Sequence, residues 1–539
     1  MADGSLFEPE GKAVPISTDY QVGQDNIKTQ FGPFGLDIHN PVFLISGLSV
    51  VAFVILTLAL QSHVEPVFNG LRGWLTSTLD WFFLSAANIF VLLCIVLMLS
   101  PLGKVRIGGT EAKPDYSYPG WFAMLFAAGM GIGLMFYGVS EPISHFSSAV
   151  AEGAGSPDSW APLAGAAGNA EEAQRLGMAA TIFHWGLHPW AIYAVVALAL
   201  ALFSFNKGLP LTMRSIFYPI FGERVWGPIG HVIDTLAVFA TLFGLATSLG
   251  FGAEQANAGL SFLFGIPVND VSKVLLITVI TGAALVSVCA GLDAGVKRLS
   301  EINMGLALLL LLFVFFVGPT LAILTGFFDN LLAYATYLPS LSMPFGREDA
   351  NFSQGWTAFY WAWWISWSPF VGMFIARVSR GRSVREFILC VLVIPSIVSV
   401  FWMTAFGGTA IDQMVNGGIT KVADAALELK LFEMLGELPL TSITSFVGIV
   451  LVVVFFVTSS DSGSLVIDTI TAGGKVDAPV SQRIFWVCFE GLVAIALLLG
   501  GGLGALQAMA VSTGFPFTIV LLLACYAIIK GLRSELKVM

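Results

Sequence analysis

The chain has 539 residues, 56% of them hydrophobic and only 11% charged, with a mean hydropathy of +0.83 and a net charge of −10. A soluble domain carries about 25% charge, so this chain cannot cover its own surface against water and lipid must cover much of it. The acidic balance sets aside a nucleic-acid partner, which wants a basic face.

Residues 1–40 are polar, with no early apolar core and no small-residue cleavage site, and read as a cytoplasmic N-terminal segment rather than a signal peptide. Lipid admits only helices or closed barrels, and runs of about 20 apolar residues mean helices. Twelve such runs follow, near 41–61, 79–100, 119–146, 178–204, 232–264, 273–291, 302–327, 356–377, 387–409, 440–470, 484–501 and 507–529. The fifth and tenth are long enough to hide breaks. Together they predict an all-α polytopic protein with one transmembrane domain over 41–529 and a short cytoplasmic tail over 530–539. The stretches 147–177 and 328–355 are expected as long outward loops, and 411–438 as a third that carries a surface helix near 422–435. The five cysteines, Cys94, Cys289, Cys390, Cys488 and Cys525, sit in apolar runs without metal-ligand spacing and read as small packing residues.

Lysine and arginine orient the chain. Twelve spans put both termini on one side. That side collects nineteen of the 25 basic residues, among them Lys104, Arg106, Lys207, Arg214, Arg380 and Lys475. The other side has Arg72, Arg175, Lys273, Arg347, Lys421 and Lys430. The excess predicts cytoplasmic termini and a multi-pass protein of a bacterial inner membrane.

In the third span, Ala127-Ala128-Gly129-Met130-Gly131-Ile132-Gly133 holds three glycines at alternate positions, each costing an isolated helix about 1 kcal/mol against alanine. They fit either close helix packing or an unwound segment whose backbone faces a transport site. Glu141 and His145 read as the end of this span. In the fourth span, Trp185 and Trp190 flank Pro189, with Tyr193 one turn on. His184 and His188 stand at i, i+4, with no HExxH glutamate and no third ligand in sequence, and read as structural or hydrogen-bonding. In the eighth span Tyr360, Trp363, Trp364 and Trp367 share one helical face. An interfacial belt is the plain explanation. A cation–π cage is the sharper one, because an onium group offers no hydrogen-bond donor and is recognised by ring faces. The run Thr458-Ser459-Ser460-Asp461-Ser462 in the tenth span offers hard oxygens for a cation, or hydroxyls that bond back to their own helix. Glu254 in the fifth span and Glu490 in the eleventh are intramembrane acids. Each is either paired with a buried donor or functional, with Glu490 a candidate proton carrier. No Walker lysine motif is present, and no nucleophile–base set suggests an enzyme.

The third-span motif, continued by Phe136-Tyr137-Gly138-Val139-Ser140-Glu141-Pro142, resembles the betaine/choline/carnitine transporter family. So does the eighth-span run from Phe359 through Ser368-Pro369-Phe370 to Arg377, with Ser379-Arg380-Gly381-Arg382 after it. The resemblance implies the leucine-transporter fold, with spans 3–7 and 8–12 as inverted repeats, and trimers with alternating access in each protomer. It implies an onium box of Trp185, Trp190, Tyr193 and Trp364, with Trp363 and Trp367 on the permeation path. Backbone of the break, including Ala128, Met130, Gly131 and Gly133, would face the acidic end of the substrate. One sodium site would use Ala127, Met130, Phe455, Thr458 and Ser459, and a second Thr241 and Phe370, with no other cofactor. Leu245 stands where a second hydroxyl is expected after Thr241, which makes Glu490 a candidate coupling residue. Gly133 is an aspartate in several choline carriers of the family. Its absence favours zwitterions such as glycine betaine or dimethylsulfoniopropionate, whose own carboxylate an aspartate would repel. The expected activity is sodium-coupled symport. Its rivals are a proton-coupled choline carrier, a sodium-independent onium exchanger and, in another class, a channel or membrane enzyme. The short tail argues against osmotic sensing through a long charged tail.

Overall fold

In the computed structural model, which describes residues 7–151, 159–291 and 293–539 (backbone alone for 293–296), the chain is an all-α membrane-type bundle with one small hairpin. Residues 1–6 of the expected N-terminal segment and 152–158 of the expected first outward loop lie outside this description.

The hairpin, β1 (Asn26–Phe31) and β2 (Phe34–His39), was not foreseen in the polar N-terminal segment. It precedes α1 (Val42–Ala59) and α2 (Gln61–Leu99). The sequence places the start of the second span near 79. The helix starts 18 residues earlier because Glu65, Arg72 and Asp80 lower the hydropathy there without breaking a helix. The third span is two helices, α3 (Tyr118–Gly129) and α4 (Ile132–Ala151), bent by 65°. Ser117 caps α3 by accepting from the Gly120 amide, and Met130 is extended at φ −90° and ψ 133°. The fourth span is also interrupted: α5 (Ala170–Trp185) and α6 (Leu187–Ala201) meet at Gly186, which is non-helical at φ −103° and ψ −124°.

After a short α7 (Tyr218–Phe221), α8 (Pro228–Phe264) runs without a break and stops at Gly265 in the left-handed conformation, φ 68°. Next come α9 (Asp270–Cys289), α10 (Asp293–Val317) and α11 (Thr320–Leu341). The last of these corrects the expected outward loop at 328–355. Gly318 and Pro319 end the seventh span, since proline has no amide to continue it, and a separate helix then reaches Leu341. It is followed by α12 (Ala350–Phe352), a π-turn at Ser353–Thr357, α13 (Ala358–Val378) and α14 (Val384–Val415). The expected surface helix at 422–435 is instead broken into α15 (Lys421–Asp424), a 3₁₀ turn and α16 (Lys430–Gly436). The tenth span, α17 (Thr441–Thr471), is unbroken. The last two expected spans form α18 (Val480–Leu536), which bends where Gly501 and Gly502 leave helical geometry, Gly502 at φ 60°. Because α18 continues to Leu536, most of the expected tail is helix.

Ten helices among the described residues are long and apolar enough to cross a membrane, eleven with the bent α3–α4 pair. The twelve-run reading differs for three reasons. The Trp-, Tyr- and Ser-rich α13 is less apolar than the rest, α11 adds a helix, and α18 carries two runs. Cys94 and Cys525 are buried as expected, but Cys289 is exposed.

The described N-terminal segment and the end of α18 meet at one end of the bundle. The Val14 amide donates to Glu535 Oε1 at 3.0 Å, and Lys207 Nζ bonds the Val14 carbonyl at 3.0 Å and Glu535 at 2.5 Å. Arg380 pairs with Glu10, and Lys475 with Asp37 of β2 at 2.5 Å. Asn26 of the hairpin donates to the Ala472 carbonyl at 2.8 Å, tying it to the α17–α18 turn. Three basic residues expected on the terminal side thus all meet the N-terminal segment.

Candidate functional site

The break between α3 and α4 lies against rings from α5, α6 and α13. A Cβ on Gly129 would lie 3.2 Å from the Trp190 ring. One on Gly133 would lie 2.9 Å from Trp185 and 3.0 Å from Trp363, tighter than real contacts allow. One on Gly131 would meet nothing within 4 Å. Gly129 and Gly133 therefore exist to admit rings, whereas Gly131 borders open space beside the unwound backbone. Ala128 is half-buried and Met130 buried in the same segment.

The predicted aromatic residues come together. Trp185 and Trp364 meet edge-to-face at 4.9 Å between ring centroids, and Tyr193 meets Trp364 at 5.6 Å and Trp190 at 5.3 Å. Both arrangements are favoured by ring quadrupoles. Trp363 stacks on Phe359 at 5.5 Å and touches Phe251 and Tyr137. Each indole of the α13 stripe is tethered: Trp363 to Ser248 Oγ at 3.2 Å, Trp364 to the His184 carbonyl at 3.0 Å, and Trp367 to the Gly244 carbonyl at 2.9 Å. Tethers to α5 and α8 bind this stripe to the interior, which the belt explanation does not accommodate.

The largest correction concerns Glu141 and His145, which do not end a span but lie buried inside α4. Glu141 accepts four hydrogen bonds: from His145 Nε2 at 3.1 Å, His184 Nδ1 at 2.5 Å, Trp185 Nε1 at 2.7 Å and Tyr360 Oη at 2.6 Å. His184 Nε2 meets Thr357 Oγ1 at 2.8 Å, and His188 instead bonds Asn88 at 2.9 Å. The hydrogen-bonding role expected for both histidines is met. The third partner that sequence spacing did not offer is Glu141, whose ligating oxygen lies within 4.8 Å of those of His145 and His184. Each of those atoms already holds an internal partner, so the trio is a hydrogen-bonded cluster. The signal that would have found it is an acid within the apolar run from Phe136 to Ile143.

The cation-site candidates are less gathered. The Ala127 carbonyl accepts from the Met130 amide at 3.3 Å. Thr458 bonds back to Val454 at 3.0 Å and, at 3.4 Å, to the Phe455 carbonyl; Ser459 is half-buried beside it. Thr241 bonds back to Ala237 at 2.7 Å, and Phe370 packs on Trp367 at 5.4 Å. Thr458 adopts the local alternative left open by the sequence for the tenth span, Thr241 does likewise in α8, and each keeps a further lone pair. Leu245 fills the space over Gly463 of α17, where a Cβ would meet it at 2.3 Å. Glu254 is paired with Lys273 at 2.8 Å, the structural alternative. Glu490 is fully buried; Ser460 Oγ donates to its Oε2 at 2.8 Å, and Oε1 has no partner among the described residues. A cavity of about 150 Å³ between α11 and α14, lined in part by Asn330, Thr404 and Asp412, shares no residue with the aromatic set.

The sequence matches the profile of the betaine/carnitine/choline family of transporters over residues 41–537. It is 69% identical over 536 residues to a glycine betaine/proline/choline transporter of Vibrio parahaemolyticus, spanning 99% of this chain and 97% of that one. It is 53% identical over 532 residues to glycine betaine transporter 1 of the same organism, spanning 96% and 98%. It is 43% identical over 475 residues to a glycine betaine transporter of Bacillus subtilis, spanning 88% and 90%.

Proposed function

The chain belongs to the betaine/carnitine/choline transporter family, and from that premise we propose that it imports a methylated onium zwitterion, glycine betaine or dimethylsulfoniopropionate, by sodium-coupled alternating access. The observation that carries this reading is the continuous set of Trp185, Trp190, Tyr193 and Trp364 beside the α3–α4 break. Edge and face positions in that set suit a trimethylammonium or dimethylsulfonium head. The segment from Ala128 to Gly133, unwound at Met130 and Gly131, supplies amides for a carboxylate at the other end of the solute. Trp363 and Trp367 border the path on the same helix.

In this reading the transported solute is drawn in by sodium at two positions, one made by Ala127, Met130, Phe455, Thr458 and Ser459, the other by Thr241 and Phe370. Spans 3–7 and 8–12 act as inverted repeats that rock about the site. The exposed apolar faces of α1, α9, α10 and α11 meet lipid and the neighbours of a homotrimer. The basic terminal end is cytoplasmic.

A second reading, a proton-coupled choline carrier or a sodium-independent exchanger, is favoured by Leu245 and by the bare oxygen of Glu490. Uptake of radiolabelled glycine betaine and dimethylsulfoniopropionate into proteoliposomes, with and without an inward sodium gradient, separates the two. Accumulation only with sodium supports symport. Accumulation without sodium moves coupling to protons or exchange. Uptake that never exceeds equilibrium under any gradient indicates a channel.

A further inference from the structure

Glu141 is carried by no assigned binding motif, yet its carboxylate is buried and touches the side chain of the onium box. An ionised carboxylate has about four acceptor positions and no donor, and all four are used here: His145 and His184 on one oxygen, Trp185 and Tyr360 on the other. The Trp185 ring spans the distance between two points of α4. Its six-membered edge lies where a Gly133 side chain would begin, and its N–H ends on Glu141. The indole is therefore held at both ends by one helix, with the carboxylate in line with its N–H edge. Tyr360 is held by the same oxygen at 2.6 Å and stacks on His184 at 4.6 Å.

We infer that Glu141 is the fixed negative charge of the substrate site: a positioning and selectivity residue that acts through the Trp185 indole and contributes to the binding of both solute classes, more to a net-cationic onium than to a zwitterion. The inference rests on Trp185 lining the onium box. Cation–π attraction is electrostatic, and an N–H bonded to an anion places more negative potential on its ring face. In a dry interior the charge at the ring's edge also acts directly on a cation over its face. A solute such as choline gains from both effects. A betaine gains at its onium end and loses part of that gain at its own carboxylate. The chain thus has an acid serving the box even though position 133 is glycine, placed at the N–H edge of a box ring about two turns further along α4.

The test compares Glu141→Gln and Glu141→Asp with the unmodified transporter, reading choline and glycine betaine affinities by tryptophan fluorescence in detergent and KM in proteoliposomes. Glu141→Gln is expected to weaken choline about tenfold and glycine betaine about threefold, so that their ratio shifts. Glu141→Asp keeps the charge and is expected to hold the ratio within about twofold, even where both affinities fall. Equal losses for the two solutes in the Gln variant, or a shifted ratio in the Asp variant, would overturn the inference and leave Glu141 a structural hub. Since each variant can overturn it alone, the Asp variant carries the test if the Gln variant does not fold. Unmodified protein that binds neither solute would refute the onium reading itself, a separate result.

Discussion

Glu141 and Glu490 are both acids, both fully buried and both inside apolar helices, yet their surroundings differ in kind. Glu141 draws donors from α4, α5 and α13, and no lone pair is left over. Glu490 has one hydroxyl, from Ser460, and a bare oxygen. Nearby, Thr281 of α9 stands against Gly491 with its own hydroxyl buried and without a partner among the described residues. The nearest ion pair, Arg483 with Asp461 at 3.0 Å, is made without Glu490. An uncompensated charge in a dry interior costs several kcal/mol. The contrast teaches that burial alone does not assign a role to an intramembrane acid. A saturated carboxylate is a permanent charge that orders what surrounds it. A half-satisfied one is stable only with a proton on it or a cation beside it, which suits a coupling element.

The largest expected effect tests the saturated side. Glu141→Ala strands four buried donors and is expected to lower unfolding stability in detergent by about 3–5 kcal/mol. Glu490→Ala strands one hydroxyl and is expected to cost about 1 kcal/mol or less. Equal losses in thermal unfolding would erase the distinction. Next, Gly133→Ala pushes a methyl into Trp185 and Trp363, an overpacking of about 1–3 kcal/mol that raises KM for glycine betaine. Gly131→Ala, facing open space, is expected to leave packing unchanged. A harmless Gly133 variant would detach the ring clamp from the substrate site.

Trp364→Ala is expected to cost about 1–2 kcal/mol of onium binding, read by calorimetry on purified protein. Unchanged affinity would remove Trp364 from the cage and leave Glu141 charging an empty wall. The smallest structural effect is expected of Glu490→Gln, which keeps shape and the Ser460 contact. Its yield of folded protein should match the unmodified chain while the sodium or pH dependence of uptake changes. If neither dependence moves, Glu490 is a structural group and the contrast reduces to packing.

Much of this was legible without coordinates. Low charge and apolar runs dictated membrane helices. Alternate glycines marked Gly129 to Gly133 as either a close-packing face or a break, and the spacing of Trp363, Trp364 and Trp367 marked a shared aromatic face. Local chemistry suffices for such features, because a helix, its stops and its faces are written within a few residues. The helix at Thr320–Leu341 was missed because its mixed polarity resembles a loop, although Gly318-Pro319 marked the restart. The docked hairpin was missed because its partners, Lys475 and Gln482, are more than 400 residues away.

By itself, then, the sequence determined the solvent, the helical class, the glycine-rich third span and the aromatic inventory, since hydropathy and backbone propensity act locally. Only the tertiary structure decided which buried acid is satisfied. The donors of Glu141 come partly from its own helix, at His145, but also from 43, 44 and 219 residues along the chain. Hydrogen bonds are short and directional, so no pattern in the sequence near Glu141 or Glu490 distinguishes a carboxylate that will meet four donors from one that will meet a single hydroxyl.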